Sequence, residues 1–233
     1  MTLREQKKLD LDKIMESDPA ALTRTSVRRT YTGYKALCAY RNAHMCWQKG
    51  WKRLALHISF RAKLKTGVDI HPAATIGTRV FIDHGVGLVI GETAEIGNDV
   101  VLYQGVTLGG TGKETGKRHP TLEDGVMVSA GAKVLGPVRI GAHSKIGAGS
   151  VVLKDVPPHC TVVGVPGRIV KQAGVRVDEL DQVKLPDPIM EEFERLNKRV
   201  YELEKQAGIH ACRYSLTTDD QNGAADADTD SIE

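Results

Sequence analysis

From Ile70 onward an aliphatic residue returns at every sixth position: Ile70, Ile76 and Ile82, then, after a slip of two residues, Ile90, Ile96, Leu102 and Leu108. After an excursion the series returns at Val128, Val134, Ile140, Ile146 and Val152. The residue four places after each is almost always Ala, Val or Ser, giving Ala74, Val80, Val86, Ala94, Val100, Val106, Ala132, Val138, Ser144, Ser150 and Val156. An amphipathic helix needs a period near 3.6 and a half-buried strand a period of 2, so a period of six predicts a β solenoid of short flat strands meeting at corners. Gly77, Gly91, Gly97, Gly141 and Gly147 directly follow aliphatic positions. Glycine there is expected to serve corner conformations that a Cβ would penalise, while the aliphatic rows fill a narrow prism.

The solenoid is flanked by helical patterns. Residues 5–65 carry helical spacing with good helix formers, interrupted near Asp18-Pro19, Gly33 and Gly50, which predicts three or four helices packed as a small α-helical domain. Beyond the prolines at 157, 158 and 166, Ile189, Phe193, Leu196, Val200 and Leu203 alternate by four and three, predicting a C-terminal helix. It is read either as a short coiled coil or as a helix lying on its own solenoid. The expected organisation is a helical cap over 1–66, the solenoid over 67–168, an extension with the heptad helix over 169–210 and a disordered acidic tail over 211–233. Between Leu108 and Val128 the repeat is broken by a polar, glycine-rich loop from Gly109 to Pro120, and long loops on rigid scaffolds commonly carry function.

Aromatic residues make up only 5% of the chain, so stacked Ile, Val and Ala rather than aromatic packing are expected to form the core. The four cysteines lack metal-ligand spacing, and the first twenty residues are charged rather than apolar, so a reducing cytoplasm is expected. No apolar run approaches the length of a membrane span. Residues 1–65 hold fifteen Lys and Arg against five Asp and Glu, and the tail after Arg213 is acidic. With no recognition motif among them, these basic residues are read as solvated helix faces rather than a nucleic-acid surface.

The segments VDIHPAATIG, DHGVGLVIGETAEIG, LGGTGKETGKRHP, SAGAKVLG and KIGAGSVVLKDVPPH together make residues 15 to 170 resemble the serine acetyltransferases. The hexapeptide repeat alone is shared by many acyltransferases; Asp69, Asp83-His84 and Arg118-His119-Pro120 are the specific part. The resemblance implies a left-handed parallel β-helix, three chains associating with each active site between neighbouring prisms, acetyl-CoA as cosubstrate without a metal, and L-serine as acceptor. It also implies feedback inhibition by L-cysteine, which carries the same ammonium and carboxylate. The cap is shorter than in the long enzymes of this family, so homotrimer and dimer of trimers both stay open. Those enzymes bind O-acetylserine sulfhydrylase through a tail ending in isoleucine, whereas this chain ends Ser231-Ile232-Glu233, so O-acetylserine sulfhydrylase stays open as a partner.

Acetyl transfer to an alcohol needs a general base, because a hydroxyl does not ionise at neutral pH. His84 is the candidate, with Asp69 on its other ring nitrogen to set the tautomer and stabilise the imidazolium. Fifteen residues separate the two, close to one eighteen-residue turn of a three-sided coil, which sets them on adjacent rungs at one edge. An acceptor amino acid presents an ammonium, which Asp83 suits, and a carboxylate, which Arg118 and His119 suit. The resemblance implies the same roles, adds Asp18 at the amino end of the acceptor, brings Glu92 near, and points to Gly110, Ala130, Lys145 and Ala148 for coenzyme A.

Other readings share the prism. A zinc hydratase would need a third ligand shortly after His119, where Glu123 and Asp124 stand. A noncatalytic trimeric spacer would have no use for the polar set around His84. An acetyltransferase for a sugar or another hydroxy amino acid is the nearest alternative.

Overall fold

A computed structural model describes residues 1–112, 115–172 and 188–207. The chain divides into two compact units, Met1–Glu191 and Glu192–Glu233. Four helices open it: α1 (Leu3–Ser17), α2 (Arg24–Thr30), α3 (Thr32–Gln48) and α4 (Lys52–Thr66). Capping boxes at Thr2/Glu5 and Thr23/Ser26 start α1 and α2 by satisfying free amide donors, and Gly67, at φ 70°, ends α4 with its N–H on Lys63 O. The break expected at Gly33 falls instead at Tyr31, and Gly33 lies in the first turn of α3.

Fifteen strands follow, most only two residues long, and up to β13 every third strand joins the same sheet. Face I holds β1 (Asp69–Ile70), β4 (Val89–Ile90), β7 (Thr107–Gly109), β10 (Lys133–Leu135) and β13 (Val151–Val152). Face II holds β2 (Thr75–Ile76), β5 (Glu95–Ile96), β8 (Thr121–Leu122) and β11 (Arg139–Ile140). Face III holds β3 (Phe81–Ile82), β6 (Val101–Leu102), β9 (Met127–Val128), β12 (Lys145–Ile146) and β14 (Cys160–Val163), closed by the antiparallel β15 (Arg168–Gln172). All other pairings are parallel. The result is a three-sided parallel coil, as the period of six predicts.

The aliphatic rows point inward and form the main core, and each such side chain contributes roughly 1.5–3 kcal/mol when fully buried. Two positions differ from the sequence expectation. Leu122 resumes the series one strand before Val128, and Val86 is 63% exposed while Leu88 takes the interior place, because the two extra residues stand before Val86 rather than after it. The corner glycines also have another reason. Left-handed backbone falls two residues later, at Arg79, Asp99 and His143, whereas a Cβ on Gly77 would lie 2.5 Å from Gly97 O and one on Gly141 2.4 Å from Pro158 N. Close stacking of successive coils, rather than backbone conformation, excludes a side chain there.

The cap packs on the outer side of face III, where Leu11, Ile14, Val27 and Tyr34 cluster with Phe81, Val101, Tyr103 and Met127. Aromatic side chains thus concentrate at this junction, where the sequence reading expects none to dominate. Within it Arg41 of α3 makes a paired contact with Asp10 of α1 at 3.1 Å and donates to Ile76 O at 2.8 Å, while Asp10 accepts from Val80 N–H at 3.2 Å. Ala36, Leu37 and Tyr40 of α3 join the prism core, and the Tyr40 hydroxyl donates to Ala74 O at 2.6 Å. The heptad segment forms α5 (Pro188–Ala207). The acidic tail expected over 211–233, with Cys212, lies outside the described residues; Cys38, Cys46 and Cys160 are free thiols.

Candidate active site

Corresponding strands of successive coils are eighteen residues apart where the repeat is regular, as between Val89 and Thr107 or Lys133 and Val151. The spacing rises to twenty between Asp69 and Val89 and to twenty-six between Thr107 and Lys133. These insertions, of two and eight residues, stand at two different corners, and each carries candidate chemistry.

The two-residue insertion lies where face III turns into face I and holds Asp83 and His84. His84 is held at φ 55°, its side chain is 75% exposed, and its Nε2 stands 3.9 Å from Asp83 Oδ1. The cap roofs this corner. Gly33 lets the first turn of α3 press on the end of β3, since a Cβ would sit 2.0 Å from Ile82 O, and the neighbouring Thr32 hydroxyl donates to His84 O. A cleft of about 420 Å³ results, lined by Asp18, Tyr31, Thr32, Asp83 and His84. Asp18 is oriented from two sides, accepting from the Tyr31 hydroxyl at 2.6 Å and from Ala20 N–H at 2.8 Å. Burial, reinforced by Asp18, pushes the Tyr31 phenol up to about 12. Burial also raises the Asp83 carboxyl above its ordinary value; His84 opposes this and Asp18 adds to it.

The eight-residue insertion lies where face I turns into face II and ends in Arg118 and His119. Arg118 pairs with Glu92 at 2.7 Å, and both backbone N–H groups of Arg118 and His119 donate to Thr93 Oγ1, at 3.0 and 3.1 Å. His119 Nδ1 accepts from Thr93 N–H at 3.2 Å and stands 2.9 Å from Thr93 Oγ1. Because Nδ1 is an acceptor, the ring proton of the neutral form is assigned to Nε2. Burial, and then the positive Arg118, hold His119 below its ordinary value, and burial does the same to His71 at this corner. His119 is therefore a neutral hydrogen-bond donor at physiological pH, where the sequence reading treats it beside Arg118 as a partner for a carboxylate. Gly91 makes its seat possible, since a Cβ there would lie 1.9 Å from His119 Cδ2.

Asp69 opens β1 immediately past the His84 corner, so the two stand at the same edge as expected. Its carboxylate is paired with Lys63 of α4 at 2.7 Å, and among the described residues no hydrogen bond joins it to His84. Ala130 and Ala148 lie on the His84 corner in the two later coils that turn from face III to face I. They alternate there with Gly105, Gly131 and Gly149, all at φ near 68°, and Gly131 and Gly149 have open space where a Cβ would project. Lys145 lies on β12, leading into the same corner, whereas Gly110 lies at the other corner, where a Cβ would be 3.2 Å from Arg118. Among the described residues no group of three or more His, Cys, Asp and Glu is placed to hold a metal ion, and no helix is long and apolar enough to cross a membrane.

The family of bacterial transferase hexapeptides (six repeats) matches residues 119–154. The serine acetyltransferase of Bacillus pumilus is 54% identical over 202 residues, covering 86% of this chain and 92% of its own. That of Bacillus subtilis is 52% identical over 200 residues, covering 85% and 92%. The chain belongs to the serine acetyltransferase family. Solved serine acetyltransferases superpose accordingly: the Vibrio cholerae enzyme with a TM-score of 0.75 at 45% identity (78% of this chain, 71% of that one), and one in complex with cysteine with 0.75 at 41% (78% and 72%). A serine acetyltransferase in complex with CoA gives 0.68 at 42% identity (72% and 69%). Within this chain the hexapeptide match spans the coils of Ala130, Lys145 and Ala148, while Asp18, Asp69, Asp83, His84 and Glu92 precede it.

Thr93, Tyr31 and Lys63 are absent from the sequence-derived site. Thr93 follows Glu92 in the GET segment, a cue for attention; Tyr31 and Lys63 have no motif and enter only through the docking of helices.

Proposed function

We infer that the protein transfers the acetyl group of acetyl-CoA to the hydroxyl of L-serine, giving O-acetyl-L-serine and CoA, the step that opens cysteine synthesis. The observation that carries this reading is the cleft in which two carboxylates, Asp18 and Asp83, face an exposed imidazole: ammonium binders beside a base. His84 takes the proton from the serine hydroxyl as its oxygen attacks the thioester carbonyl. The tetrahedral intermediate then collapses with cleavage of the C–S bond, and the proton passes to the departing thiolate. Asp69 is assigned the role of orienting His84, with Lys63 sharing its carboxylate.

Glu92, Arg118 and His119 stand at the opposite end of face I from His84. A molecule as small as serine does not reach both corners of one chain, which supports an assembly, read here as a trimer of left-handed prisms, with each site built from His84 of one copy and Arg118 and His119 of the next. Arg118 supplies the charge for the acceptor carboxylate and His119 the Nε2–H donor. The bare corner of Ala130 and Ala148 suits the pantetheine arm, with Lys145 for a phosphate and Gly110 on the facing corner. L-Cysteine competes for the serine subsite through the same two groups. Its three free thiols among the described residues suit a cytoplasmic setting.

The test is release of free CoA thiol from acetyl-CoA with L-serine, L-homoserine or a galactoside, each with and without L-cysteine. Serine-dependent release suppressed by cysteine supports the reading. Release only with homoserine or the sugar transfers the same base to the alternative acceptors, and no release with any acceptor overturns it.

A further inference from the structure

We propose that α5 pairs with α5 of other copies of this chain as a parallel, in-register coiled coil, clamping the assembly through a second interface. The inference rests on the multimeric reading above and adds an interface that the site does not require. Ile189, Phe193, Leu196, Val200, Leu203 and Ala207 fall at alternating d and a positions of one heptad frame across the helix. Of these, Leu196, Val200 and Leu203 are 47%, 50% and 57% exposed.

The width of the stripe decides between the two possible occupants. A helix lying on a flat protein surface needs an apolar arc of about 100°, which extends to the e or g positions, whereas a two- or three-stranded seam uses a and d alone. Here the flanking positions are Glu192, Arg199 and Gln206 at g and Met190, Asn197 and Glu204 at e, so the stripe is the narrow kind. Parallel in-register pairing sets Arg199 of one copy against Glu204 of the next, an opposite-charge g to e contact. Copies related by a rotation axis also send their C-terminal segments in the same direction, which selects the parallel arrangement.

A twenty-residue helix of this polarity is marginal in water by itself, and fewer than three heptads make a weak coil between free chains. Tethering removes that difficulty. Fifteen residues, 173–187, join β15 to α5, a contour of at most about 50 Å, so helices carried by one assembly meet at an effective concentration on the order of millimolar.

The experiment uses the full chain with Cys212→Ser to remove the native thiol near the helix. Leu203→Cys at a d position and Lys198→Cys on the outer f position are oxidised separately and read on non-reducing gels, with sedimentation equilibrium on the same samples. Disulfide-linked pairs at position 203 and their near absence at 198 are expected. Equal cross-linking at both positions, or none at 203 in a protein that still sediments as a multimer, overturns the coiled coil and leaves the trimeric reading standing. A monomer in sedimentation overturns both. As an independent readout, Leu196→Lys is expected to raise the dissociation concentration of the assembly tenfold or more without altering the turnover of the assembled enzyme; an unchanged dissociation concentration also overturns the proposal.

Discussion

Replacing Arg41 by Met tests how the cap is held to the prism. The Arg41 and Asp10 side chains are 3% and 1% exposed; the guanidinium is the cation that answers the carboxylate, beside backbone hydrogen bonds from Val80 and Arg79, and it ties α1 and α3 to the first coil through Ile76 O. Met keeps much of the volume but leaves the Asp10 charge buried and unpaired, a situation that costs about 3–5 kcal/mol. For a chain of this size each kcal/mol moves the midpoint by about 2–4 °C, so a fall of roughly 6–20 °C is expected. The deficit also depends on pH. Burial holds the Asp10 carboxyl above its ordinary value even with Arg41 present, and loss of the guanidinium raises it further. Stabilisation from protonating such a group is present at low pH and lost as pH rises through the folded value, so the variant's deficit is expected to be larger at pH 8 than at pH 5. Thermal unfolding followed by circular dichroism, at one fixed protein concentration, measures both. A loss below about 1 kcal/mol, or an equal loss at the two pH values, would refute the reasoning, because neither is compatible with a buried unpaired charge.

His84→Asn tolerates the left-handed backbone and exposes nothing buried, so turnover is expected to fall by about 10²–10⁴ with the melting midpoint unchanged; a fall below tenfold in the thiol assay argues against His84 as base. Gly91→Ala drives a methyl into the His119 ring, and the loss of that donor is expected to raise the serine KM by about tenfold with a smaller effect on kcat, so an unchanged KM would remove His119 from acceptor binding. Because burial raises the Asp83 carboxyl above its ordinary value, serine binding measured by calorimetry without acetyl-CoA is expected to weaken as pH falls sooner than it would with an ordinary aspartate. Asp83→Asn should bind weakly and lose that dependence; a variant with the parent's profile would move the ammonium site elsewhere.

The solenoid was legible because its signal is a period, which survives without any knowledge of contacts. The two departures from that period were equally legible and proved to hold Asp83, His84, Arg118 and His119. Residues whose roles depend on distance between coils were not. Gly91 reads as a corner glycine until the His119 ring is placed against it, and Val86 looks inward until the inserted residues are located ahead of it. Nor could spacing show that Asp69 holds Lys63, since α4 and β1 meet through tertiary packing, or that the Asp83–His84 and Arg118–His119 pairs stand at opposite ends of one face. The neutral state of His119 depends on burial and on Thr93, neither of which its sequence context reports.

Covering both ends of the prism has a consequence for how copies of the chain can meet. A stack of parallel strands ends in rows of unpaired N–H and C=O groups, which would template the next molecule and grow into a fibre. In this chain α3 lies across the first coil, and at the far end β15 runs antiparallel to β14 while Gly167 N–H donates to Val151 O. End-to-end growth is thereby blocked, and the flat sides become the surfaces available for self-association. The same covering that opposes end-to-end growth leaves the side-by-side contact that the proposed trimer requires.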